Sequence, residues 1–236
     1  MKAPLHVGII LDGNRRFAKQ LMKTPWEGHK YGLEKSREVL EWACDSKIKY
    51  LTAYTLSLEN LKKRPKRELQ LILHYIGSEA DNIMKNRDHV VNRRKINVRF
   101  IGRTQLLPLW LQHKIKEVEK KTKKYKKHCL NIAVAYGGQQ ELVDALREIL
   151  KKGMKGIIKP AELSEEIIKQ HLYTNGHPFP DLIIRTGGEK RLSNFLPFQS
   201  AYSELIFLDK KWPEITKEDF TASLEEYAQR KRRFGK

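Results

Sequence analysis

The chain has 236 residues, 40% of them hydrophobic, and its 47 Lys and Arg against 28 Asp and Glu give a formal net charge of +19. That length and apolar content suit one α/β domain with a buried core and exclude low-complexity disorder. Two cysteines exclude a disulfide scaffold and a Cys-rich zinc module, while the cation surplus points to anionic partners: nucleic acid, phosphorylated metabolites or an acidic membrane face.

Short apolar runs alternate with helix-patterned segments along the chain. His6 to Leu11 is an apolar run that stops at Asp12-Gly13-Asn14, a strand followed by a turn. Leu33, Val39, Leu40 and Ala43 mark one face of a helix. Leu51 to Leu56 is the next strand, ending at Ser57-Leu58-Glu59-Asn60. After Pro65, the spacings of three and four among Leu69, Ile72, Leu73, Ile76, Ala80, Ile83 and Met84 predict an amphipathic helix. Ile96 to Ile101 reads as a strand, followed by a Lys-rich helix through Ile115 and Val118. Leu130 to Val134 is a strand ending at Tyr136-Gly137-Gly138, and Leu142, Val143, Leu146, Ile149 and Leu150 make another amphipathic helix. Asp181 to Ile184 is a strand ending at Arg185-Thr186-Gly187-Gly188. Leu205 to Leu208 is a last short strand, and Phe220, Leu224 and Tyr227 sit on a terminal helix.

Cys44 and Cys129 fall in apolar-patterned stretches and read as core thiols, which fits a reducing compartment. No apolar run approaches the roughly 20 residues of a spanning helix, and the first run is stopped by Asp12 before it resembles a signal peptide. The expectation is a soluble cytoplasmic chain that could also rest on a membrane surface. Strand–helix alternation predicts a single α/β domain over residues 1–236, with a mostly parallel sheet of about six strands and helices on both faces.

In such sheets ligands bind beyond the carboxyl ends of the strands. Gly-, Asn- and Arg-bearing turns follow Leu11, Leu56, Val134 and Ile184, so parallel pairing would gather them on one rim. That rim would hold Asp12, Gly13, Asn14, Arg15, Arg16, Ser57, Glu59, Asn60, Gly137, Gly138, Arg185, Gly187, Gly188, Arg191 and Ser193. Glycine N–H groups can point at phosphate oxygens, and arginine binds phosphate with two parallel bonds. A lone carboxylate among cations suits Mg²⁺, which keeps substrate phosphates in its shell. The rim is therefore expected to take a diphosphate with Mg²⁺. Taken singly, each motif also reads as an ordinary turn or surface charge; their shared place at strand ends carries the argument. No Walker loop, dinucleotide glycine run, His/Cys metal spacing, Gly-x-Ser-x-Gly elbow or Asp-rich pair is present.

At these residues the chain resembles the cis-prenyltransferase family of the undecaprenyl diphosphate synthase type. The similarity covers nearly the whole length, in order. It includes His6 through Ala18 with Gly28-His29, then Ser57, Glu59-Asn60 and Arg64-Pro65, then Leu130 through Gly138. It continues from Pro180 to Leu196, on to Gln199, Tyr202, Glu204-Leu205 and Trp212-Pro213, and ends at Arg232-Arg233-Phe234-Gly235. The resemblance implies an apolar tunnel between the sheet and two helices, a homodimer, and Mg²⁺-dependent condensation of isopentenyl diphosphate with an allylic prenyl diphosphate. The product would be a Z-polyprenyl diphosphate for a glycosyl carrier lipid.

It also implies roles. Asp12 handles Mg²⁺ and the leaving diphosphate, with Asn60 near the reacting carbons. Gly13, Asn14, Arg15, Arg16, Phe17, His29, Ser57, Glu59 and Arg64 serve the allylic diphosphate. Arg185, Arg191 and Ser193 hold isopentenyl diphosphate, with Arg233 and Gly235 reaching that of a neighbouring subunit. Glu204 assists the metal, with a route across a dimer interface.

Several positions depart from the family pattern. Pro25 stands where many bacterial members carry an Arg, which leaves Lys19 or Lys23 as substitutes. Phe17 and Leu61 replace Trp, Ala135 replaces a common Asn, and Gln139 a common Arg. These bear on primer and acceptor choice, so transfer to an acceptor other than isopentenyl diphosphate is an alternative. A basic nucleic-acid-binding protein is a second alternative, suggested by the lysines between Lys114 and Lys127. The plainer reading of that run is a solvated helix face, and no nucleic acid is expected as a partner.

Overall fold

The first apolar run, β1 (His6–Ile10), is buried along its whole length, as a central strand covered on both faces must be. Five more strands join it: β2 (Tyr50–Ser57), β3 (Ile96–Ile101), β4 (His128–Tyr136), β5 (Leu182–Arg185) and β6 (Glu204–Phe207). The computed structural model describes residues 3–230. Every strand pairing is parallel, in the order β3-β4-β2-β1-β5-β6. From β1 the chain moves to β2 on one side, while from β5 it moves to β6 on the other. The carboxyl ends of β1 and β5 therefore flank the topological switch point where such sheets bind ligands.

The helices are α1 (Asn14–Gln20), α2 (Gly28–Asp45), α3 (Leu58–Lys63), α4 (Lys66–Lys85), α5 (Val90–Arg93), α6 (Leu109–Thr122), α7 (Gly138–Met154), α8 (Glu165–His171) and α9 (Lys217–Gln229). Alternation along the strands sorts the core. Val7 and Ile9 face Val39 and Leu40 of α2, Ala80 and Ile83 of α4, Val90 and Val91 of α5, and Phe220 and Leu224 of α9. Ile10, Tyr54, Ala133 and Ile183 form a second cluster with Tyr136, Phe195 and Leu196. Here α7 is tied down by Glu141, which accepts from the Tyr136 hydroxyl, from Gln199 Nε2 at 3.0 Å and from the Tyr173 N–H at 2.7 Å. Burial raises the Glu141 carboxyl above its ordinary range.

The structure bears out the parallel α/β reading and refines its edges. Arg185 is the last residue of β5, in register with Ile10, rather than a turn residue. The last strand begins at Glu204, whose N–H donates to the Asp181 carbonyl at 2.9 Å, and ends before Leu208. The segment after Leu56 starts a helix, with Ser57 Oγ capping α3 by accepting the Asn60 N–H at 3.0 Å. On α7, Ala145 and Ile149 are buried, whereas Val143, Leu146 and Leu150 are exposed. Cys44 and Cys129 are buried, and burial pushes both thiols up to about 11. The lysine-rich helix α6 buries Leu111, Ile115 and Val118. Its Lys121 donates to the Ile83 and Met84 carbonyls at the end of α4, as a cation at a helix C-terminus does.

Candidate active site

Asp12 follows β1 directly. Its N–H donates to Thr186 Oγ1 at 3.1 Å and its carbonyl accepts from that hydroxyl and from the Trp212 N–H. These contacts aim the carboxylate across the switch point. Oδ2 accepts from Arg185 Nη2 at 2.8 Å and Oδ1 from Arg16 Nη2 at 3.2 Å. The Asp12 side chain is 30% exposed, whereas Arg185 is 5% exposed. Arg185 also donates to Ser193 Oγ at 2.8 Å and to the Arg191 carbonyl. One guanidinium thus joins the turn after β1 to the segment after β5.

Gly13 must be glycine here. Its φ is +106°, and a Cβ would stand 2.6 Å from Lys211 Cβ. Asn14 Nδ2 donates to the Leu11 carbonyl at 3.0 Å, and a Cβ at Gly28 would meet the Asn14 carbonyl oxygen at 1.9 Å, so this glycine admits α1 against α2. Among the described residues, neither Asn14 Oδ1 nor Arg185 Nε has a hydrogen-bond partner although both are buried. Arg185 Nε retains a donor for an anionic ligand, whereas Asn14 Oδ1 is an acceptor that faces Gly32.

A second polar cluster stands beside the first. Glu68 on α4 is buried, and its Oε1 accepts from Arg64 Nη1 at 3.0 Å and lies 3.8 Å from Arg15 Nε. His29 Nε2 lies 3.0 Å from the same oxygen and 3.2 Å from Arg64 Nη1, donating to the first or accepting from the second according to tautomer. Burial lowers the His29 pKa despite Glu68, which favours the neutral ring.

These groups ring the mouth of a cavity of about 920 Å³. Asp12, Asn14, Arg15, Arg16, His29, Ser57, Asn60, Arg64, Arg185 and Ser193 all line it, as do Gly13, Glu59 and Lys19. Deeper, the lining turns apolar: Ile9, Leu51, Ala53 and Ile132 from the sheet, Leu33 and Leu40 from α2, Ile72, Ile76 and Ile83 from α4. An anionic head and an apolar tail therefore both find their surroundings in one space.

Some expected residues lie elsewhere. Phe17 packs edge-on against Tyr31 at 5.5 Å and is not among the lining residues, because α1 turns that side toward α2. Arg191 is exposed beside Glu189, offering only its carbonyl to Arg185. Lys23 donates to the Tyr31 hydroxyl, leaving Lys19 as the cavity lysine. Three of the five glycine N–H groups expected to face phosphate are committed to backbone: Gly187 to the Lys210 carbonyl, Gly188 to Leu208 and Gly138 to Asn194. Glu59 accepts from Asn194 Nδ2 at 2.9 Å, bracing the segment after β5. Glu204 begins β6, at the end of the sheet opposite Asp12, and pairs with Arg230 at 2.7 Å. Within one chain it does not reach Asp12. Arg233 and Gly235 lie outside the described residues. Glu68 went unread in the sequence; the i,i+4 spacing from Arg64 was its only signal. Among the described residues, no three His, Cys, Asp or Glu side chains gather into a cage for a metal ion. None of the described helices is long and apolar enough to cross a membrane.

The undecaprenyl diphosphate synthase family model matches residues 10–235. The chain is 47% identical over 235 residues to the geranylgeranyl-diphosphate-specific tritrans,polycis-undecaprenyl-diphosphate synthase of Methanopyrus kandleri, covering 100% of this chain and 86% of the relative. It is 45% identical over 233 residues to the protein of the same name from Thermococcus kodakarensis, covering 99% and 87%. Among solved structures, lavandulyl diphosphate synthase from Lavandula x intermedia, in complex with dimethylallyl diphosphate, superposes with a TM-score of 0.93 at 35% identity, covering 99% of each chain.

Proposed function

The chain belongs to the cis-prenyltransferase family of the undecaprenyl diphosphate synthase type, and from that premise we propose that it extends an allylic prenyl diphosphate with isopentenyl diphosphate to a Z-polyprenyl diphosphate. The observation that carries this reading is the Asp12–Arg185 pair, set between a cationic rim and an apolar cavity of about 920 Å³. The names of the archaeal relatives favour geranylgeranyl diphosphate as the primer.

In this reading the allylic carbon–oxygen bond breaks and its electron pair leaves with the diphosphate. Arg15, Arg16 and Asn14 hold that diphosphate, so fixed positive charge meets the negative charge as it develops. Arg185 and Ser193 hold isopentenyl diphosphate, whose double bond attacks the allylic carbon; loss of a proton then leaves the cis double bond. Asn60, at the mouth, lies beside the reacting carbons. The growing chain lies along Ile72, Ile76 and Leu33, where each added CH₂ contributes about 0.8 kcal/mol on burial. Asp12, 30% exposed and facing the cavity, would hold Mg²⁺, a cation that favours oxygen ligands. That ion would supply charge neutralisation of the leaving group. A contribution from Glu204 would have to come from a second subunit. Exposed Val143, Leu146, Leu150 and Met154 form one stripe on α7 and support a homodimer. The net charge of +19 supports peripheral contact with anionic lipid, where the apolar product would accumulate.

The test is incubation with labelled isopentenyl diphosphate, with and without Mg²⁺, across allylic primers of increasing length. A Mg²⁺-dependent ladder that starts best from geranylgeranyl diphosphate supports the reading; no incorporation with any primer refutes it. A second reading, transfer to another acceptor, is favoured by the lavandulyl diphosphate synthase likeness. Product formed from dimethylallyl diphosphate alone would establish it.

A further inference from the structure

Two ionic clusters tie α2 to α4 across the cavity. The one at the mouth is His29–Glu68–Arg64. The other is Arg37–Glu79–His89: Arg37 Nε donates to Glu79 Oε1 at 2.9 Å, its Nη2 reaches Oε2, and His89 Nε2 lies 2.9 Å from Oε1. All three line the same cavity. His29 and Arg37 are eight residues apart on α2, and Glu68 and Glu79 eleven apart on α4. At ~1.5 Å per residue the clusters stand roughly 12–16 Å apart along the helices. Between them the lining is Gly32, Leu33 and Ser36 on one helix and Ile72, Tyr75 and Ile76 on the other.

The second cluster runs through the wall. His89 is 4% exposed, Glu79 15% and Arg37 40%, so it has the cavity on one side and solvent on the other. Burial by itself would raise the Glu79 carboxyl, but bonds from Arg37 and His89 hold it down at about 2. A hydrocarbon cannot accept or donate these bonds, so it cannot take the place of either partner. Leu40, Ile83 and Val90 follow within a turn and also line the cavity.

Resting on the prenyl-transfer reading, we propose that the Arg37–Glu79–His89 cluster is the stop that limits product length: the chain grows along the cavity until its end meets this ionic wall. Breaking the cluster opens a route between α2 and α4 to solvent, and further five-carbon units can be added.

The experiment compares product ladders of the wild type, Glu79→Ala and Arg37→Ala at saturating isopentenyl diphosphate, with the first condensation rate and melting temperature measured alongside. Arg37 is partly solvated, and its removal leaves Glu79 paired with His89, so that variant remains informative if Glu79→Ala does not fold. The expected result is a terminal band moved up by at least one five-carbon unit, with the first condensation within about twofold of wild type. Ladders ending at the wild-type length in the folded variants would overturn the proposal. So would an upward shift that appears only together with a comparable loss of the first condensation. A wild type that makes no ladder would remove the prenyl-transfer reading itself.

Discussion

Arg185 Nη2 lies 2.8 Å from Asp12 Oδ2, across 173 residues of sequence. The pairing follows from β1 and β5 being neighbours, with Ile10 in register with Arg185. The same guanidinium holds Ser193 Oγ and the Arg191 carbonyl, so it orients the carboxylate and the following loop together. A lysine donates from one nitrogen, so it cannot reach acceptors that Arg185 serves from two separate nitrogens, Nη1 and Nη2. Arg185→Lys is expected to lower kcat/KM for isopentenyl diphosphate by roughly 10–100-fold. Steady-state kinetics at fixed primer would check this, and a near-wild-type value would dissociate the fork from catalysis.

Asp12→Ala is expected to reduce turnover by about 10³-fold or more, as removal of a group acting on developing charge does, while the fold persists. Circular dichroism and single-turnover assays together test both halves. Because the two side chains are in contact, the double variant with Arg185→Ala should lose less than the product of the two single losses.

Metal removal should act on activity and not on stability. With one carboxylate and no cage among the described residues, Mg²⁺ alone is expected to raise the melting temperature by less than about 1 °C, and Mg²⁺ with a prenyl diphosphate by several degrees. EDTA should abolish turnover reversibly. A large shift from Mg²⁺ alone would mean a preformed site.

Gly13→Ala places a Cβ at φ +106°, 2.6 Å from Lys211 Cβ and 2.8 Å from its Cα. The left-handed backbone and the clash should cost about 1–3 kcal/mol together. The urea midpoint would report the loss; an unchanged midpoint would show that the turn relaxes freely.

Mild acid should destabilise the fold through its histidines. His6 donates from Nδ1 to the Pro178 carbonyl at 2.7 Å and accepts at Nε2 from Thr52 Oγ1 at 2.8 Å. Burial holds it down at about 4, and His177 likewise, while His29 is also lowered. Below pH 6.5 the unfolded chain binds protons that the folded chain refuses, so stability falls with pH from about 6.5 toward 4. For His6 the loss amounts to at most about 3 kcal/mol. Paired carboxylates such as Glu79 act lower, since the unfolded carboxyl is half protonated at 4.5. Urea midpoints between pH 5.5 and 6.5 therefore report mainly the histidines, and His6→Gln should flatten the slope.

Strands, helices and the rim turns were legible because they depend on near neighbours. An apolar run closed by Asp12-Gly13-Asn14 can be read without knowing what it pairs with, and the α4 period marks a buried stripe whatever covers it. Parallel pairing then follows from the alternation, which placed Asp12, Asn60 and Arg185 at one mouth. Partner choice across the chain was not legible. Nothing local says that Glu68, four residues beyond Arg64, also gathers His29, that Glu79 joins Arg37 to His89, or that Glu204 lies at the far end of its strand. The amides of Gly187, Gly188 and Gly138 looked available for phosphate until Lys210, Leu208 and Asn194 supplied their acceptors, and the α7 stripe looked internal until its docking left Leu146 and Leu150 outside. The sequence by itself determined the elements, the cationic rim and the apolar period, since these rest on residue type and spacing. The tertiary structure alone decided which charges meet and which faces stay open, since those depend on strand order and helix docking over separations that no periodicity encodes.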